Sequence, residues 1–266
     1  MLFRGLSRHL GTETRPSTAL LHRHVVWNQT YRRQLAEDPN ATLYQRYIYT
    51  AANVAELYSW MGWLRSTETF HSEADHVKVV PPSDSESLDL PPGVGAVLLR
   101  LLPSTKSDPT KTADVVLAYA TASGFHLGFQ LEDLFRLRHQ LGITSRYLFA
   151  HLNGSPWSTF YFKEHHLWPL LHLQQLEGDA FLRAFDGSPG NSIREKFYSM
   201  HSYRRGARSF MGTTHYGTLL FVRRATEAEV NEHGRWAMKN QGSESMPLHY
   251  LEWSIEHRLY ITLLCM

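Results

Sequence analysis

In the run Met200-His201-Ser202-Tyr203-Arg204-Arg205-Gly206-Ala207-Arg208 a histidine and an arginine stand three residues apart. On a helix that spacing puts His201 and Arg204 on one face, neighbours across a single turn. A neutral imidazole beside a permanently charged, fork-shaped guanidinium suits a site that grips a phosphate diester and moves a proton near it. Taken alone, the same motif also describes an exposed basic helix end. A second such pair lies upstream, where Arg65 follows Trp60, Trp63 and Leu64 and precedes Glu68 by three residues. An arginine set against tryptophans calls for something anionic, and Glu68 is close enough to pair with it. Four further groups could take part in the same chemistry. They are Lys106 in Ser104-Thr105-Lys106-Ser107, His233 and Trp236 around Gly234-Arg235, and Tyr250 in Met246-Pro247-Leu248-His249-Tyr250.

The elements that must position these groups follow from periodicity. From Ala41 to about Phe70 the pattern is helical, with Val54, Leu57, Met61 and Leu64 forming one buried stripe that ends at Arg65. His76–Val80, Gly95–Leu102 and Ala113–Ala120 are short runs rich in Val, Leu and Ala, separated by proline turns. They read as a three-stranded antiparallel sheet with Lys106 in the turn between the second and third strands. Gly128–Leu141 is an amphipathic helix ending near Gly142. Phe149 to Thr159 is a loop turning at Asn153-Gly154, and Phe160–Leu176 is a helix interrupted near Pro169. A short helix is expected over Asp179–Phe185. A capped one begins at Thr226, with Glu229 completing the box, and a last helix runs through Leu264. The fold class expected is α+β, mainly α, with one catalytic-size domain over 41–266. Residues 1–40 are set apart as a tail or the remnant of an upstream segment.

Composition narrows the function classes. With 266 residues, 42% hydrophobic and 20% charged, the chain has ample sequence for a buried core and is unlike a disordered one. Net charge is only +2. Arg204, Arg205, Arg208, Arg223, Arg224 and Arg235 nevertheless fall close together, and a local patch outweighs the sum. The single cysteine, Cys265, excludes an internal disulfide and a multi-cysteine zinc site. The adjacent pair His165-His166 does not make a metal site either, because neighbouring helix positions diverge by roughly 100°. No apolar run is long enough to span a bilayer. Arg4, Arg8, Arg15 and Arg23 against the lone acid Glu13 make the N-terminus similar to an organelle transit segment or a basic tail.

In order along the chain, these motifs resemble the tyrosine recombinase/integrase family of the phage-integrase type, in the divergent form found in eukaryotic mobile elements. Leu64-Arg65-Ser66-Thr67-Glu68 is similar to that family's first arginine box, and His201-Ser202-Tyr203-Arg204-Arg205-Gly206 to its second. Gly234-Arg235-Trp236 is similar to its histidine-or-tryptophan position. The resemblance implies DNA breakage and rejoining through a 3′-phosphotyrosyl intermediate, with Tyr250 as nucleophile and no ATP, metal or other cofactor. Arg65 and Arg204 would hold the phosphate and Glu68 would orient Arg65. His201 would draw the proton from the tyrosine and Lys106 would protonate the 5′-oxygen. Trp236 would donate its indole N–H near the phosphate, a role for which His233 competes, and Arg205, Arg208 and Arg235 would contact DNA. Tyr250 follows Trp236 by fourteen positions, longer than the family's usual interval, so Tyr260 stands as an alternative nucleophile. The implied partners are double-stranded DNA and further copies of the chain, with no membrane and no small-molecule substrate. The implied location is the nucleus, from the substrate, with an organelle open from the N-terminus. Two other readings stay open, a DNA-binding remnant without turnover and a helical interaction protein unrelated to DNA.

Overall fold

The computed structural model describes residues 17–88, 90–101, 113–121, 124–179 and 198–213. Among them the chain is mainly helical with one three-stranded antiparallel sheet, the class expected from the sequence. In order come α1 (His22–Glu37), α2 (Leu43–Met61), α3 (Ser66–Phe70), β1 (Val77–Val80), β2 (Ala96–Leu101), β3 (Ala113–Ala118), α4 (Leu127–Gln140) and α5 (Thr159–Phe162). A π-helical turn (Lys163–Leu167), α6 (Trp168–Leu176) and α7 (Met200–Thr213) complete it. The sheet order is β1-β2-β3, with Val80 opposite Ala96 and Ala96 opposite Ala118.

The central element is α2. Thr42 starts it: its hydroxyl accepts the Gln45 N–H at 3.2 Å while Gln45 returns an acceptor to the Thr42 N–H at 2.8 Å. From Thr50 onward the helix is buried all round rather than along one stripe, because α1, α4 and α7 pack against it from different sides. The stripe residues Val54, Leu57 and Met61 lie in this core, as do Tyr58 and Trp60.

The helix expected to run from Ala41 to Phe70 is two helices. Tyr58 O accepts the N–H of Gly62 at 3.1 Å and that of Leu64 at 3.4 Å, which closes α2. A Cβ on Gly62 would lie 2.9 Å from that oxygen. Trp63 then takes a left-handed conformation, φ 48°, that glycine usually fills. Its indole is fully buried, and that burial offsets a backbone cost of about 1–2 kcal/mol. Arg65 therefore lies at the N-cap of α3, not within the long helix.

Other differences have similarly local causes. Within the stretch set apart as a tail, His22–Glu37 is a sixteen-residue helix packed along α2. Pro169 cannot donate to the carbonyl four residues back and would clash with it, so the chain opens into the π turn just ahead. The helix expected from Gly128 is α4, and Gly142 follows it with φ 66°. Of the expected Asp179–Phe185 helix only Asp179 is described. Both helices expected after Thr226 lie outside the described residues.

One buried polar cluster ties α1, α2, the π turn, α6 and α7 together. The Glu56 carboxylate on α2 accepts four hydrogen bonds. Asn28 Nδ2 and the Tyr203 hydroxyl donate to Oε1, each at 2.7 Å. Gln29 Nε2 donates to Oε2 at 2.8 Å and Arg32 Nη1 at 2.7 Å. Arg32 also donates to Asn53 Oδ1 at 3.1 Å and to the His166 carbonyl at 2.7 Å. Gln174 reaches Asn28 at 2.8 Å. Glu56, Arg32 and Tyr203 are all removed from solvent. A charge held there must be met by both a counter-charge and hydrogen bonds, and this one is.

Glu56→Gln keeps the shape but turns an NH2 toward a donor and strips Arg32 of its counter-charge. We expect a loss of about 3–5 kcal/mol, read as a lower urea midpoint with an unchanged slope. His166 stacks on Trp157 at 5.2 Å, and burial, then the Arg32 charge, push its pKa from 6.5 down to about 3. The unfolded chain therefore binds one more proton than the folded one between those values. Stability is fully present above about pH 6.5 and is lost as the pH falls toward 3. His166→Phe keeps the stack and removes the titration, so its urea midpoint should fall less steeply with acid.

Candidate functional site

Helix α7 carries the second motif, and a reciprocal cap starts it. Ser199 Oγ accepts the His201 N–H at 3.2 Å while Ser202 Oγ accepts the Ser199 N–H at 2.9 Å. From there the helix divides by face. Ser202, Tyr203, Gly206 and Ala207 are buried against α2 and the segment before α1. His201, Arg205 and Arg208 are exposed at i, i+4 and i+7, and the helix contains no acid. The exposed face is thus basic along two turns. Arg204, at the flank of that face, is only 5% exposed. The spacing of three gives the expected helix, on which His201 is exposed and Arg204, one turn along, is buried.

Tyr203, between them, fixes the helix. Its hydroxyl donates to Glu56, and its ring stands 6.5 Å from Phe162. Burial first, and the Glu56 charge second, hold its pKa well above 10, so it stays protonated and serves as a donor. One turn on, a Cβ on Gly206 would sit 1.9 Å from the Leu20 carbonyl oxygen and 2.8 Å from the Trp60 ring. Only glycine allows that approach. Phe210 follows, stacked on His22 at 4.5 Å.

Arg65 is held differently. Glu68 Oε2 accepts its backbone N–H at 2.7 Å, and Oε1 faces Nη1 at 3.4 Å. Glu68 is buried, whereas the Arg65 side chain is 25% exposed. One guanidinium nitrogen is engaged, and the other donors have no partner among the described residues. Arg65 and α7 both adjoin α2, at the loop after its C-terminus and along its flank.

Lys106 falls in the connection 102–112 between β2 and β3, outside the described residues. His233, Trp236, Arg235, Tyr250 and Tyr260 also lie outside them, so Arg65, Glu68, His201, Arg204, Arg205 and Arg208 are the expected site residues that the structure places. His165 and His166 diverge as expected, one exposed and one buried. No described helix is long and apolar enough to cross a membrane.

Sequence reasoning passed over Glu56, Arg32 and Tyr203. A signal for the first was present, a lone acid within the otherwise uncharged run from Tyr47 to Leu64. Asn28 and Arg32 four apart on α1 were another.

No protein-family model matches the chain, and no curated protein does. Among solved structures it is similar to the XerH site-specific recombinase bound to difH substrate in a pre-cleavage complex. That match has a TM-score of 0.47 at 13% identity and covers 76% of this chain and 45% of the recombinase. A post-cleavage XerH complex with palindromic difH gives 0.43 at 14%, covering 74% and 43%. The chain spans less than half the length of these recombinase chains.

Because Glu68 both caps α3 and faces Arg65, its two roles separate by substitution. Glu68→Gln retains an acceptor for the Arg65 N–H and should cost only a few tenths of a kcal/mol. Glu68→Ala loses the cap and should cost about 1 kcal/mol. Urea unfolding of the two variants beside the parent measures the difference.

Proposed function

We propose that this protein breaks and rejoins double-stranded DNA by the tyrosine recombinase route. The observation that carries the reading is the Arg65 guanidinium, clamped at one nitrogen by the buried Glu68 and partly exposed beyond it. A phosphate diester repels nucleophiles through its own charge, and a pre-oriented arginine with open donors is suited to hold its non-bridging oxygens. The exposed basic face of α7 adds Arg205 and Arg208 as backbone contacts and presents His201 beside them. Tyr250, or Tyr260 in its place, is the nucleophile of this reading. Trp236 or His233 lies near the phosphate, Lys106 is the proton donor to the leaving oxygen, and Arg235 is a further DNA contact. An origin in a eukaryotic mobile element, self-association on DNA and a nuclear location belong to the same proposal.

One observation favours a second reading. Arg204 is nearly excluded from solvent, and a phosphate can reach it only if the surroundings move. A protein that binds DNA through Arg205 and Arg208 without turnover satisfies that geometry.

A trapping assay separates the two. Protein mixed with nicked DNA bearing a 5′-phosphorothiolate should give a denaturation-resistant adduct that Tyr250→Phe abolishes. Loss in Tyr260→Phe alone would move the nucleophile. No adduct, with binding intact, would leave the second reading. In either case Arg205→Ala and Arg208→Ala should each lower the slope of log affinity against log salt by about one.

A further inference from the structure

The start of α1 holds a capping box with a titratable acceptor. Its N-cap is Leu21, whose side chain cannot accept a hydrogen bond, and the third helical residue is His24. Glutamate or glutamine ordinarily fills that third position and accepts the N-cap N–H. Here the Leu21 N–H donates to His24 Nδ1 at 3.2 Å. The other ring nitrogen lies 3.0 Å from Asp179 Oδ2. An acceptor at Nδ1 places the proton on Nε2, so the bonds describe a neutral imidazole donating to Asp179. The ring is completely buried. Among the described residues, charged groups facing it include Asp179, from the stretch after α6, and Arg23 on its own helix, which itself pairs with Asp179 at 3.1 Å.

The residues just before this cap lie across α7. The Leu20 N–H donates to the Ser202 carbonyl at 3.0 Å, and the Leu20 carbonyl oxygen occupies the space that a Cβ on Gly206 would need. Ser17 and Ser199 share a hydroxyl–hydroxyl bond of 2.7 Å at the cap of α7. Residues 17–21 are therefore a strap fastened at one end to α7 and at the other to the His24 ring.

We propose that protonation of His24 at Nδ1 unfastens this strap, making the seat of α7 sensitive to mild acid. The chemistry is a change of sign at one atom. Neutral Nδ1 accepts the Leu21 N–H; protonated Nδ1 is a donor facing a donor, and the cap is lost. Burial favours the neutral ring and Asp179 favours the charged one, with burial the larger. The strap is therefore fastened at neutral pH and loosens as the pH falls below the usual histidine range. Leu20 and Leu21 would leave the Ser202 carbonyl and the Gly206 surface, freeing the first turns of the helix that bears His201 and Arg204.

Amide hydrogen exchange of the full chain between pH 7.5 and 5, corrected for intrinsic rates, tests it. Protection of the Leu20 amide should fall by up to about tenfold for each pH unit below the usual histidine value, levelling off once the ring in its fastened setting is itself protonated. Core amides such as those of Ala52 and Leu131 should stay protected. His24→Gln supplies a capping acceptor that does not titrate, and in that variant the Leu20 amide should keep its protection across the range. Loss of Leu20 protection together with the core would indicate global acid unfolding and overturn the proposal. So would pH-independent protection in the parent, or an equal loss in His24→Gln.

Discussion

A carboxylate taken out of water sets the conditions that the rest of this structure meets. Glu56 lies on the part of α2 that is buried on every side, where an unpaired charge would cost several kcal/mol. Its two oxygens must find donors, and they find four, two side chains on each. Three come from α1 and the fourth from α7, elements that are far apart in sequence. The positions of Asn28, Gln29, Arg32 and Tyr203 add a directional constraint to the apolar packing of those helices. Arg32 extends the constraint by binding the His166 carbonyl, which ties the π turn before Pro169 to the same centre.

The rotational setting of α7 follows from this. With Tyr203 turned to Glu56, the residue after it is drawn inward and those at one and two turns from His201 face solvent. Gly206 adds a steric condition, since the Leu20 carbonyl lies where any side chain would be. The exposed basic face of α7 is thus the complement of an interior requirement. The charged stripe is outward because the tyrosine, the glycine and the alanine are inward. Arg65 is set by a different mechanism, a forced end of α2 at Gly62-Trp63 followed by a new helix whose third residue turns back to its cap.

Several histidines in this molecule are structural acceptors or stacked rings. His24 completes a helix cap and His166 lies against Trp157. His22 is sandwiched near Phe210 and Phe125. Burial lowers the pKa of all three, so each contributes to a fold that is more stable in its neutral form. These three histidines therefore bear on the pH response of the fold.

Periodicity and turn chemistry are local properties, and what depends on them was legible in the sequence. The three strands and their antiparallel order, α4 with its glycine stop, the break at Pro169 and the helix through His201 and Arg204 were all readable. So was the nearness of Glu68 to Arg65, which needs only a spacing of three. What depends on the approach of distant segments was not. The sequence around Trp63 continues a helical stripe, and only the packing of its indole makes a left-handed turn there tolerable. The region before residue 40 looks like a basic tail until Asn28, Gln29 and Arg32 are seen to serve a carboxylate on another helix. The spacing makes His201 and Arg204 neighbours across one turn, but that the first is exposed and the second buried depends on Tyr203 reaching Glu56. Spacing along a helix fixes which residues are neighbours. Which of them meet solvent is decided by the surface the helix must bury, and that surface belongs to the rest of the chain.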